Sequence, residues 1–88
     1  MAVKRKSLFR SLCETLANSI RLQRNRIAAE KRRLAMLQAR LRKLKKAIPP
    51  DKAAIAEVTR LIADLAKQIR EEEASLRELE DHFNEICG

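Results

Sequence analysis

The sequence contains few of the residues that end helices or build turns. Its 88 residues include one Gly, two Pro and two Phe, with neither Trp nor Tyr. A chain so poor in turn formers cannot supply the many short connections of a sheet protein. Much of the remainder is Ala, Leu, Ile, Lys, Arg and Glu, which is typical of long helices. The composition therefore predicts an all-α fold without strands.

Long apolar runs are absent as well. No stretch approaches the ~18 apolar residues that a membrane span requires. Arg10 and Glu14 interrupt the segment in which a signal peptide would need an apolar centre. We therefore expect a cytoplasmic protein; a mitochondrial presequence and peripheral membrane attachment through the basic N-terminal helix are weaker alternatives. A domain this small gains only ~3–5 kcal/mol from its core, so self-association or a protein partner is expected.

The two prolines lie side by side at Pro49 and Pro50, near the middle of the chain. Proline lacks an amide hydrogen and disfavours a helical residue before it, so a helix must end here. Asp51 stands where it can cap a following helix. The predicted segments are a basic N-terminal tail at residues 1–6 and a single helical-hairpin domain at residues 7–88, made of helix 1 at about 7–47, a turn at 48–51 and helix 2 at about 52–86.

Both predicted helices carry apolar residues at alternating steps of four and three, which is the spacing of a coiled-coil seam. In helix 1 these positions are Phe9, Cys13, Leu16, Ile20, Gln23, Ile27, Glu30, Leu34, Leu37, Leu41, Leu44 and Ile48. In helix 2 they are Ile55, Val58, Ile62, Leu65, Ile69, Glu72, Leu76, Leu79, Phe83 and Ile86. A short connection forces the helices to lie antiparallel. The sequence therefore predicts an antiparallel coiled-coil hairpin.

Three polar residues, Gln23, Glu30 and Glu72, interrupt this seam. The expected register places Glu30 opposite Ile69 and Glu72 opposite Ile27, in neighbouring layers. We interpret the two carboxylates as residues that set the register, as polar core residues do in coiled coils. A metal or charged-ligand site would need His or Cys ligands that the sequence does not place there.

A second apolar surface lies away from the seam. It is rich in alanine, and small residues let helices approach closely, so two hairpins could pack through it into a four-helix bundle. The residues predicted for this self-association or partner face are Leu22, Ala28, Ala29, Ala35, Met36, Ala39 and Leu61.

The charge of +8 is unevenly distributed along the chain. Residues 1–47 hold fifteen Lys or Arg and two Glu, whereas residues 48–88 hold five Lys or Arg and ten Asp or Glu. A basic surface favours nucleic acid or an acidic protein. The residues predicted to make such contacts are Asn25, Arg32, Arg33, Arg42, Lys43, Lys45 and Lys46.

The ten residues RNRIAAEKRR, at 24–33, resemble the DNA-reading helix of basic leucine-zipper proteins. Asn25, Ala28, Ala29 and Arg33 match the residues with which that family touches bases and phosphates, and the resemblance implies the same contacts here. Arg32 stands where that family has Cys or Ser. The first two zipper leucines are replaced by Lys43 and Pro50. We therefore interpret the run as a local likeness on a different architecture.

The predicted register also brings Cys13 and Cys87 together at the open end of the hairpin. A reducing cytoplasm favours two thiols, whereas a disulfide would contribute ~4 kcal/mol by closing a long loop. Both alternatives stay open. With His82 they make a weak ligand set, and we predict neither metal nor cofactor.

The sequence offers a single His and no Gly-rich phosphate loop, and a two-helix rod has no deep pocket, so we predict neither an enzyme nor a small-molecule substrate. We expect a non-enzymatic interaction module that self-associates or docks on a larger protein as an adaptor, assembly factor or inhibitor. The alternative is a nucleic-acid-binding protein that uses the basic outer face of helix 1.

Overall fold

The computed structural model describes residues 2–88, with side chains described for residues 8–88. It contains two helices, α1 (Ala2–Lys46) and α2 (Lys52–Cys87), which pack against each other along their length. The molecule is a rod with dimensions of 74 × 16 × 15 Å. The prediction of an all-α helical hairpin is confirmed, and the described residues contain no strand.

The proline turn reverses the chain between the two helices. α1 ends at Lys46, and the Ile48–Pro49 peptide bond is cis. The carboxylate of Asp51 accepts a hydrogen bond from the amide of Ala54 at 3.0 Å. This bond satisfies one of the amides left open at the start of α2, so the predicted N-cap is confirmed.

The start of α1 differs from the prediction. The helix begins at Ala2, five residues before the expected start at Ser7, so residues 2–6 belong to the helix and not to a tail. Met1 lies outside the described residues. No Gly or Pro precedes Pro49 to break the helix. Extending an existing helix costs little compared with starting one, so the helix continues through Ser7.

The contact between α1 and α2 follows the predicted seam. Every seam position from Cys13 to Leu44 and from Ile55 to Ile86 is buried or half-buried. Among residues 8–88 only four side chains are buried, and each keeps 5–7% of its surface exposed: Ile20, Ile27, Val58 and Ile69. The two exposed seam positions are Phe9 and Ile48, one at each end of the seam. The core is therefore continuous but thin.

The two arms of the hairpin have unequal lengths. Cys13 is bonded to Cys87 at the end of α2, so residues 2–12 of α1 extend past it. We call this segment the overhang. At 1.5 Å per residue it is ~16 Å long. Its described apolar side chains, Leu8, Phe9 and Leu12, are exposed.

Candidate functional site

The most exposed large side chains of the paired part of α1 form a stripe on its outer side. Leu22 is 64% exposed and Met36 is 72% exposed. Ala29 lies midway between them, at a spacing of seven residues from each, and is also exposed. Residues seven apart on a helix share a face. We call Leu22, Ala29 and Met36 the outer stripe.

The remaining residues of the predicted partner face do not join this stripe into one surface. Ala28 lines an open cleft with Lys31 and Glu73, and exposed Ala35 follows it seven residues later. Leu61 lines a different cleft, together with Leu37. Nine residues separate Ala28 from Leu37, which is about half a turn of rotation at 3.6 residues per turn. Ala28 and Leu61 therefore lie on opposite flanks of the hairpin. Ala39, another residue of the predicted partner face, is half-buried.

The flank that carries Ala28 is held by two ion pairs. Arg24 binds Glu80, and the Lys31 ammonium lies 3.4 Å from a carboxylate oxygen of Glu73. Both pairs are largely exposed, so each contributes little to stability. They do match basic residues of α1 with acidic residues of α2, which supports the antiparallel pairing.

The residues predicted to contact nucleic acid or an acidic partner are all exposed and make no ion pair within the described side chains: Asn25, Arg32, Arg33, Arg42, Lys43, Lys45 and Lys46. Arg33 lines the cleft that also holds Asp64 and Leu61. The other cations lie along the outer side of α1 and at its C-terminal end. Their positive charge is therefore available to a partner.

Two carboxyl groups meet in the middle of the seam. Glu30 and Glu72 are half-buried, and each has one carboxyl oxygen that is shielded from water and lacks a hydrogen-bond partner. Burial raises the pKa of Glu30, and the like charge of the nearby Glu72 carboxyl raises this pKa further. Arg26 opposes the shift. The amide of Gln68 donates to Glu72 at 3.2 Å.

This carboxyl pair was not foreseen as a pair. The expected register places Glu30 and Glu72 in neighbouring layers, each opposite an isoleucine. Glu side chains are long enough to span adjacent layers of a seam, so two acids in successive layers of facing helices can meet. That combination was the available signal in the sequence.

The open end of the hairpin is covalently closed. The structure contains a disulfide between Cys13 and Cys87, with their Cα atoms 5.8 Å apart. His82 is exposed, and no group of three or more candidate metal ligands occurs among the residues with described side chains. Over the same part of the chain, neither helix has an apolar stretch long enough to cross a bilayer.

No protein-family model, no characterised protein and no solved structure matches this chain. Its function is therefore inferred from its own surfaces: the outer stripe, the exposed cations of α1, the carboxyl pair and the overhang.

Proposed function

We propose that this protein is a non-enzymatic interaction module that docks through its outer stripe, either on a larger protein or on a second copy of itself. The observation that carries the proposal is the exposure of Leu22 and Met36 on a hairpin that buries only four of its described side chains. Covering such residues removes apolar surface from water at about 25 cal/mol per Å². A thin core benefits from that additional burial.

The kind of partner follows from the surroundings of the stripe. Arg26, Arg33 and Arg40 repeat at the same seven-residue spacing beside it and are exposed. An apolar line bordered by arginines suits a helix with apolar residues flanked by acidic ones. A module of this kind acts as an adaptor, an assembly factor or an inhibitor of the protein it binds. Pairing of two copies through the same face would produce a four-helix bundle.

The test replaces Leu22 and Met36 together with Gln. We expect this variant to lose self-association, measured by sedimentation velocity, or to lose the partner proteins that can be cross-linked to position 29 of the wild type. The reason is that the stripe no longer contributes apolar surface. The matched control is Arg60→Gln with Lys67→Gln, which alters two exposed residues of α2. This control should keep the self-association and the cross-linked partners of the wild type.

Two results together would count against the proposal. The first is a wild-type protein that stays monomeric at all concentrations. The second is a stripe variant that cross-links to the same proteins as wild type. Helical content measured by circular dichroism should be equal in all three proteins, because the substituted side chains are exposed.

A second candidate function is nucleic-acid binding. It is favoured by the exposed cations of α1, such as Arg32 and Lys43, which make no ion pair with the described acidic side chains. Binding by phosphate contacts weakens steeply as salt rises. Absence of any shift of duplex DNA or RNA at ~50 mM salt would remove this candidate, and Arg32→Ala with Arg33→Ala should reduce the salt slope if it is correct.

The cytoplasmic location expected from the sequence stays a prediction. Disulfides persist in oxidising compartments and are rare in the cytoplasm. The oxidation state of Cys13 and Cys87 in rapidly alkylated cells therefore tests this assignment: free thiols support the cytoplasm, and a quantitative disulfide supports an oxidising compartment.

A further inference from the structure

One flank of the hairpin has no ion pair between described side chains. Arg33, Leu61 and Asp64 line an open cleft on this flank. The half-buried seam residues Leu37 and Leu65 line the same cleft. The two ion pairs lie on the other flank, where Ala28 is found. We call the flank with the cleft the second flank.

Each helix carries a further heptad pattern on the second flank. On α1 the outer stripe alternates with arginines at steps of four and three, which gives Leu22, Arg26, Ala29, Arg33, Met36 and Arg40. On α2 the same steps connect Glu57, Leu61, Asp64, Gln68, Glu71 and Ser75. All of these residues are exposed, and their spacing is that of a coiled-coil seam. We call the two patterns the second seams.

The second seams carry opposite charges. Every other position is an arginine on α1 and a carboxylate on α2. None of these charged residues makes an ion pair with a described side chain of its own hairpin. The α1 seam of one molecule is therefore complementary in charge to the α2 seam of another.

We propose that a second copy of this chain docks on the second flank, so that α1 of each copy packs against α2 of the other in a four-helix bundle with both turns at the same end. The inference rests on the proposed function, since it names the partner of the outer stripe. The interface is the same surface on both copies, as two-fold symmetry requires.

The geometry of one hairpin fixes which residues meet. Arg33 and Asp64 line one cleft, so they lie at about the same height along the rod. A two-fold axis parallel to the rod keeps that height, and Arg33 of one copy therefore faces Asp64 of the other. Met36 lies three residues after Arg33, and Leu61 lies three residues before Asp64. The exposed Met36 of one copy thus packs on Leu61 of the other.

Steps of seven residues extend the same register along the interface. They place Arg26 opposite Glu71 and Arg40 opposite Glu57 of the other copy. A two-fold axis across the rods would instead put the turns at opposite ends and lay α1 on α1. Arginines would then face arginines, and like charges at close range repel. Charge complementarity therefore selects the arrangement with both turns at one end.

The second flank has the size that a dimer needs. The paired part of α1, from Cys13 to Leu44, is about 50 Å long, and the rod is 16 Å wide. Each copy therefore offers roughly 800 Å², which is the area that one partner contributes to a stable interface of standard size.

A different protein or a nucleic acid is a poorer occupant. An acidic helix of another protein would match the arginines of α1 but would leave the carboxylates of α2 without a partner. The phosphates of a nucleic acid would be repelled by the same carboxylates. A second copy matches both charged rows at once.

The test reverses the charge of one row at a time and measures dimerisation by sedimentation velocity. One variant carries Arg33→Glu with Arg40→Glu, and the other carries Glu57→Lys with Asp64→Lys. Each variant alone brings like charges together across the interface, so we expect its dimer dissociation constant to rise at least about tenfold. An equimolar mixture should dimerise as tightly as wild type, because each reversed row then faces the opposite charge. Dimerisation of the mixture also shows that both variants fold.

The matched control is Arg21→Glu with Arg42→Glu, which makes the same change in net charge. Both residues are exposed and follow the spacing of Ala28, so they lie toward the other flank. This control should dimerise at least as tightly as wild type. An increase of its dissociation constant equal to that of the row variants would overturn the assignment to the second flank.

The orientation is measured with a spin label at Ile48→Cys, beside the turn, where the side chain is 96% exposed. We expect a distance between the labels of the two copies that is much shorter than the paired helices. A distance of about 50 Å or more, the length of the paired helices, would overturn the arrangement with both turns at one end.

Wild-type protein that stays monomeric at all concentrations, or a mixture of the two row variants that stays monomeric, would overturn the docking of a second copy. Loss of cross-linked partner proteins from the variant Leu22→Gln with Met36→Gln would still support the proposed function in that case. The occupant of the outer stripe would then be a different protein.

Discussion

At the scale of single residues, the most informative feature is the carboxyl pair in the seam. Two negative charges in a half-buried position repel each other and lose water, so the folded hairpin favours a proton on Glu30. Because the pKa of Glu30 is higher in the folded than in the unfolded protein, this proton stabilises the hairpin fully at pH values below the ordinary pKa of Glu. The stabilisation is lost as pH rises through the raised pKa.

Glu30→Gln tests this linkage. The amide has no charge and can donate to Glu72, so we expect the variant to unfold at higher denaturant concentration than wild type at neutral pH. The difference should shrink at acidic pH, where Glu30 of the wild type is protonated. Chemical denaturation across this pH range provides the measurement. The exposed Glu57→Gln is the matched control, and an equal pH dependence of wild type and Glu30→Gln would contradict the assignment.

At the scale of secondary-structure elements, the start of α2 depends on one hydrogen bond. Asp51 is the last residue before the helix, and its carboxylate accepts from Ala54. Asp51→Ala should lower the free energy of unfolding by about 1 kcal/mol. Asp51→Ser keeps a side-chain acceptor, so its free energy of unfolding should stay within about a few tenths of a kcal/mol of wild type. Urea unfolding followed by circular dichroism measures both variants, and an equal loss in both would show that the cap is not responsible.

The two helices and their pairing could be predicted because the relevant signals are local. The steps of four and three identify the buried positions, and Pro49 and Pro50 place the turn. The start of α1 could not be predicted in the same way, since a serine such as Ser7 can either cap a helix or lie inside it. The length of the overhang depends on that start, because a helix beginning at Ser7 would extend a shorter distance past Cys87.

At the scale of the whole molecule, the disulfide joins the two arms at the end opposite the turn. It links residues separated by 74 positions in the sequence. Closing a loop of that length restricts the unfolded chain and contributes roughly 4 kcal/mol. For a thin core this is comparable with the whole contribution of apolar burial.

Reduction should therefore lower the free energy of unfolding by about 4 kcal/mol. Oxidised and reduced wild type share one sequence, so their denaturation midpoints can be compared directly after thiol content has been measured. The double variant Cys13→Ser and Cys87→Ser should behave like the reduced protein. Identical midpoints for oxidised and fully reduced protein would contradict the expected stabilisation.

The closed end has a mechanical consequence. Tension applied between Leu12 and Gly88 passes through the covalent link between Cys13 and Cys87 and not through the contacts of the seam. The seam contacts of the oxidised protein therefore carry none of this load, and the arms cannot be separated from that end.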